Sequence, residues 1–318
     1  MNRRSLGRSG LPVSELCLGT LNFGWRVGEA LALDLLDAFR AAGGNFIQAS
    51  SAGLATERPV LAVQEASEAW VGRWWRERRI PRSELFLATR FVLPGSSAPG
   101  RADRESLIRR HCEQSLQRLR TEYLDLVLVE WNDALTPLDD ALQGLTRLRR
   151  AGMVRYFGAA GFPAWRLMES LHRSAQRDFD RFEVAQFNYS VLTAGERERE
   201  VLQLCHEYRL GCIARSPLAG GALTRPPEPG SVASSVLDGL TRMAAGYRVS
   251  PAQLALAWVL AQSNLTAPVL GPSNLAHLQQ LLAVPRLTIQ PADLAALTTA
   301  LTTASAHPLN SPAHAPAL

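Results

Sequence analysis

The sequence predicts an α/β protein built as an eight-stranded (β/α)8 TIM barrel with an N-terminal β-hairpin. Eight short apolar runs alternate with longer stretches of helical period along the 318 residues. That is the arithmetic of eight strand–helix units closing on themselves. Each run also reads as buried on both faces, the habit of parallel strands covered by helices. A doubly wound open sheet is the alternative. It wants a G-x-G-x-x-G first turn, whereas residues 19–24 read GTLNFG.

The elements follow in order. Two short extended pieces flank Arg8-Ser9-Gly10, predicting a hairpin at about 4–13 that plugs the bottom of the barrel. Strands are predicted at 16–19, 45–49, 85–90, 124–130, 154–158, 182–187, 212–216 and 266–270. The first helix, 29–42, carries Leu31, Leu35, Phe39 and Ala42 at spacings of four and three. Helices at 57–79 and 104–119 come next. Thr136-Pro137 predicts a helix with a threonine cap and a proline in its first turn, and Ala151-Gly152 stops it. Pro163-Ala164 opens a further helix and 194–210 forms another. Ser250-Pro251 repeats the cap-and-proline device before 252–261, and Pro291 opens the last helix. Residues 224–234 (TRPPEPGSVAS) read as a loop, and the proline-bearing tail at about 305–318 as loosely held. The whole of 1–318 is expected to be a single barrel domain.

Composition narrows the function. A hydrophobic fraction of 47% with 20% charged residues excludes global disorder, collagen and coiled coil, and allows a sizeable core. All 34 basic residues are arginine. The absence of lysine excludes Schiff-base and pyridoxal-phosphate chemistry and the lysine of a P-loop. The net charge of +5 is spread over helix surfaces without a nucleic-acid-binding module, so no nucleic-acid partner is expected. No apolar run is long enough to span a membrane. Cys17, Cys112, Cys205 and Cys212 follow no zinc spacing and read as buried core thiols, so no metal is expected. The start MNRRSLGRSG carries no apolar leader, which with reduced cysteines leads to a cytoplasmic expectation. Trp70, Trp74 and Trp75 are expected to pack, and His111, His172, His206 and His277 to lie on helices away from the mouth.

Several segments then carry a family likeness. SLGRSGLPVSELCLGTLNFG at the start, AGGNF at 42–46, LFLATR at 85–90 and RLRTEYLDLVLVEW at 118–131 are four of them. LRRAGMVRYFG at 148–158, SPLAGG at 216–221 and SPAQLALAWVLAQ at 250–262 complete the set. Together they resemble the aldo-keto reductase family, whose fold is the same barrel. The resemblance implies hydride transfer between NADPH and a carbonyl, with a tyrosine acid, a lysine and an aspartate that tune it, and a histidine that orients the substrate. At those places this chain has Gln48 for the aspartate, Arg90 for the lysine, Glu130 for the histidine, and the neighbourhood of Gly53 for the tyrosine. Fine alignment does not alter the outcome, since the first tyrosine of the chain is Tyr123.

The resemblance also implies a thinned cofactor site. Ala160 and Gly161 stand where a serine and an asparagine would grip the nicotinamide carboxamide, and Arg215 where an aromatic ring would stack. Gln186, Arg215, Ser216, Leu218, Gly271 and Ser273 remain as cofactor contacts, so NADPH or NADP is an open possibility and no cofactor the expectation. Arg90 and Glu130 lie on neighbouring strands and are expected to pair, which makes Glu130 a better base than acid.

The residues alone therefore favour non-redox acid/base chemistry on a small organic molecule, such as isomerisation, dehydration or cyclisation. Glu130 would be the base, Arg90 the oxyanion anchor and Gln48 the orienting amide. Phe23, Trp131, Asp133 and Asn188 would line the substrate pocket. Two alternatives stand beside this reading: a non-catalytic binding or scaffold protein with a protein partner, and a divergent NADPH-dependent carbonyl oxidoreductase.

Overall fold

Strands buried on both faces have only one way to satisfy every backbone edge without leaving one in water, which is to close. The computed structural model describes residues 1–49, 60–92, 101–130, 137–224 and 231–305. Eight parallel strands close in the order of the chain: β3 (Cys17–Gly19), β4 (Phe46–Gln48), β5 (Phe86–Val92), β6 (Leu124–Glu130), β7 (Val154–Ala160), β8 (Phe182–Asn188), β9 (Gly211–Arg215) and β10 (Ala267–Leu270). β10 returns to pair with β3 through Val269 and Leu270. Every predicted strand is present, with ends shifted by one or two residues.

The predicted hairpin forms from β1 (Arg3–Ser5) and β2 (Pro12–Ser14), antiparallel, with Arg4 opposite Val13. It does plug the barrel. Leu6 and Val13 are fully buried and join the lumen cluster of Cys17, Phe46, Phe86 and Leu126. Gly7 adopts φ 53 and lies so close to the start of β9 that a Cβ there would fall 2.4 Å from the Gly211 nitrogen. Only glycine fits that approach.

Helices cover the outside: α1 (Glu29–Ala41), α2 (Val60–Glu77), α3 (Arg101–Leu119), α4 (Leu138–Arg150), α5 (Ala164–Arg177), α6 (Glu196–Glu207), α7 (Val232–Tyr247), α8 (Pro251–Leu260), α9 (Leu275–Leu282) and α10 (Pro291–Ser305). The start of α8 matches its prediction, with Ser250 and Gln253 forming a reciprocal capping box before Pro251. α4 differs. Pro137 itself is the N-cap residue and makes no side-chain cap bond, while Thr136 lies outside the described residues. The loop expected over 224–234 is shorter, since Ser231 caps α7 through the Ser234 amide. α7 and α9 were not predicted, although Leu275, Leu278 and Leu281 of α9 stand at helical spacing behind an Asn274 cap.

The buried groups agree with their sequence reading. All four cysteines are free and buried. Trp74 and Trp75 are buried, and Trp70 packs partly buried against the same core. His111, His172, His206 and His277 sit in α3, α5, α6 and α9. Among the described residues, no helix is long and apolar enough to cross a membrane.

Candidate active site at the barrel mouth

Side chains of a strand alternate between lumen and helix layer. The lumen parity is fixed by the inner cluster, which contains Phe46, Phe86, Ala88, Leu126, Leu128, Val184 and Ile213. Continuing each strand by two residues toward its C-terminal end places Gln48, Arg90, Glu130, Gln186 and Arg215 inward at the mouth. Apolar residues thus fill the lower lumen and polar ones its upper layer. This is the face of a barrel where active sites are built.

Two polar layers result. Below, Gln48 on β4 and Gln186 on β8 meet across the lumen. Gln186 Nε2 donates to Gln48 Oε1 at 2.6 Å, and Gln48 Nε2 donates back to Gln186 Oε1 at 3.5 Å. The amide pair forms a floor. Above it, Arg90 Nη1 lies 3.2 Å from Glu130 Oε2, and Arg215 Nη1 lies 3.3 Å from Glu130 Oε1. Asn188 Oδ1 accepts from Arg215 Nε at 2.8 Å and fixes that guanidinium. One carboxylate is therefore held between two arginines that approach its two oxygens separately.

The two arginines differ in surroundings. Arg90 is buried, and burial brings its pKa down to about 10; Glu130 opposes this and Arg215 adds to it. At neutral pH it remains a cation. Its proton is not available for transfer, but its charge can polarise an oxygen in the lumen. Arg215 is more open, with a side chain 30% exposed.

The helix layer braces this arrangement. The opposite parity of β5 sends Thr89 outward, where its Oγ1 donates to Glu68 Oε1 of α2 at 2.6 Å. Arg118 Nε of α3 donates to Glu68 Oε2 at 2.7 Å. The preceding residue, Ser67, meets Thr20 Oγ1 at 2.6 Å, and the Thr20 amide donates to the Gln48 carbonyl. One dipeptide of α2 thus fixes the strand ends that carry Gln48 and Arg90.

The structure brings together Gln48, Arg90, Glu130, Gln186, Asn188 and Arg215. The pairing of Arg90 with Glu130 was expected; Arg215 as a second partner and the Gln48–Gln186 bond were missed. β6 and β9 are not neighbours, so sequence adjacency carried no hint, although strand parity would have found both. Phe23 differs from its expected role as a pocket wall. It is fully buried with its ring centroid 6.4 Å from Trp70, and it serves the core between barrel and α2. Trp131, Asp133 and the Gly53 region lie outside the described residues. Ser216 and Leu218 follow β9, and Gly271 and Ser273 follow the adjacent β10, so these four sit at neighbouring strand ends.

Comparison with known proteins fits this frame. The model of the Aldo/keto reductase family matches residues 15–301. The chain belongs to the aldo/keto reductase family. It is 32% identical over 299 residues to "Uncharacterized oxidoreductase YrpG" of Bacillus subtilis, covering 86% of this chain and 88% of that protein. It is 29% identical over 296 residues to norsolorinic acid reductase stcV of Emericella nidulans, covering 85% and 74%. The solved structure of the thermostable aldo-keto reductase Tm1743 with the inhibitor epalrestat shares the fold, with a TM-score of 0.75, 23% identity, and 94% and 99% of the two chains covered. Both of these curated relatives carry reductase or oxidoreductase names.

Proposed function

We propose that this aldo/keto reductase family member is a nicotinamide-dependent oxidoreductase acting on a small carbonyl or alcohol at the barrel mouth, with Arg90 polarising the reacting oxygen. Oxidoreductase-named relatives favour this over the non-redox chemistry that the residues alone favoured. The observation that carries the reading is a buried, lumen-facing guanidinium at the C-terminal end of β5, paired with Glu130. A fixed, buried cation stabilises negative charge developing on a carbonyl oxygen.

The residues present fit a nicotinamide dinucleotide along the β9–β10 side. Ser216 turns the chain after β9 with φ 52. At Gly271 an added Cβ would meet only Asn22 Nδ2, at 3.7 Å, so backbone there is open to a ligand. Ser216, Leu218, Gly271 and Ser273 would hold the phosphates, and the buried Gln186 amide the carboxamide. Ala160 and Gly161 add no side-chain donor, which predicts weaker binding than a full amide grip would give. When bound, the nicotinamide supplies or accepts a hydride. Arg90 holds the oxygen, Glu130 balances Arg90 and Arg215, and the proton comes from water, since no tyrosine precedes Tyr123.

Calorimetric titration with NADPH and NADP⁺ tests this. Saturable one-to-one binding followed by NADPH oxidation with an aldehyde is the expected result. No binding at high micromolar nucleotide would refute it and restore cofactor-free chemistry at Glu130.

A further inference from the structure

We infer that the end of the barrel opposite the mouth holds a second site, a receptor for a small organic phosphate, in the cavity beneath β7 and β8. The cavity measures about 450 Å³ and is lined by Arg8, Arg149, Arg155 and Arg181. An arginine in the last turn of a helix offsets the helix dipole, which accounts for Arg149 at the end of α4. It does not account for the other three. Arg8 stands in the hairpin turn, Arg155 is the second residue of β7, and Arg181 immediately precedes β8.

The donors around this cavity exceed what the protein uses. Arg8 donates from Nε alone, to the two oxygens of Glu183. Arg149 donates from Nη1 to Asp180, and Arg155 from Nη1 to Asp125 at 3.2 Å. Arg181 donates from Nε and Nη2 to the carbonyls of Phe182 and Tyr208. A guanidinium fork offers more N–H groups than these contacts engage.

The carboxylates are also shared. Glu183 serves both Arg8 and Arg181, at 3.2 and 3.6 Å. Asp125 serves Arg155 and Arg82, and Arg82 is the closer at 2.7 Å. Asp180 is taken by Arg149, and Asp178 is fully exposed at the rim. Burial lowers the pKa of Arg181; Glu183 opposes this and Arg8 adds to it, so the two cations repel each other. A phosphate accepts from several guanidiniums at once and relieves that repulsion. Phe157, Leu171 and Phe179 line the same cavity and offer an apolar wall to the organic body of the ligand.

The test is calorimetric titration of the full-length protein with phenyl phosphate, and with phenol as the same body without the phosphate. Saturable one-to-one binding of phenyl phosphate is expected, with phenol at least about tenfold weaker. Arg8→Gln should weaken phenyl phosphate binding about tenfold, with Arg8→Lys recovering part of it. The Arg8 side chain is 54% exposed, so its loss leaves the fold intact, which an unchanged thermal midpoint checks. Arg147→Gln removes an equally exposed charge from the last turn of α4 that does not line the cavity, and should leave the affinity unchanged. An equal loss in Arg147→Gln would reveal a diffuse field and overturn the inference. An affinity unchanged in Arg8→Gln would do the same, by placing the ligand elsewhere. So would a lack of saturable binding at millimolar phenyl phosphate, whether or not phosphatidylglycerol vesicles bind in its place.

Discussion

Replacing Gly72 by alanine should destabilise the protein, although alanine is the better helix former. Gly72 lies inside α2, where that helix crosses the end of α3. A Cβ placed there would fall 2.3 Å from the Arg118 carbonyl oxygen, 2.6 Å from the Leu119 carbonyl carbon and 2.7 Å from the Leu119 Cα. Ordinary contacts between such atoms are about 3.5 Å, so the helices must part by roughly 1 Å. All three neighbours are backbone and cannot rotate aside. Overpacking of that kind costs about 3 kcal/mol, and the helix-propensity gain returns about 1, leaving a loss of roughly 2 kcal/mol. Gly239 in α7 is the control, since a Cβ there meets nothing within 4 Å. Gly239→Ala should gain up to about 1 kcal/mol. Thermal and urea midpoints of both variants, measured side by side, decide the matter. If Gly72→Ala melts with or above Gly239→Ala, the close approach of α2 to α3 is wrong. The same shift would loosen Ser67 and Glu68, which brace the strand ends carrying Gln48 and Arg90, so the nucleotide binding proposed above should weaken in parallel.

Asp125, buried on β6, accepts from Arg82 Nη2 at 2.7 Å and from the Leu87 amide at 2.9 Å. Asp125→Ala should cost about 3–5 kcal/mol by stranding a part-buried guanidinium and a strand amide, and a urea shift equivalent to under about 1 would contradict that. Glu68 has its pKa raised by burial, with Arg118 and its hydrogen bonds only partly opposing. The folded protein therefore keeps a proton that the unfolded chain has lost, and stability falls as pH rises from the ordinary glutamate range through the raised value. Glu68→Gln should remove that slope, so the wild-type advantage over the variant must shrink with rising pH; a growing one would reverse the sign. Ser250→Ala, which removes the side-chain half of the α8 capping box, should lower stability by about 1 kcal/mol in the same assay.

Most of the barrel was legible because strand buried on two faces writes itself as a plain apolar run. The runs 124–130 and 182–187 became β6 and β8 almost unchanged. The capped start of α8 was legible too, since Ser250-Pro251 acts through bonds three residues long. α4 shows the limit of the same signal. There Pro137 itself takes the cap position, without a side-chain cap bond. The helix at 232–247 is rich in small residues and went unread; the one at 275–282 did carry a local signal, Asn274 as cap and Leu275, Leu278 and Leu281 at helical spacing, but is only eight residues long and was missed.

For the site, the sequence alone excluded chemistry that needs a lysine amine and indicated which strand ends carry charge. The absence of lysine, the late first tyrosine and the placement of Arg90 and Glu130 at strand ends are local facts that no fold can change. Partnership across the lumen was decided only by the closed barrel. Glu130 and Arg215 are 85 residues apart, and Gln48 and Gln186 are 138 apart. Closure brings such residues within hydrogen-bond reach because side chains of one parity, from strands that never touch, converge on a single axis. The burial that lowers the Arg90 pKa has the same origin. The fate of Phe23 was likewise tertiary: an aromatic beside the mouth is wall or core according to whether a helix covers it, and α2 does.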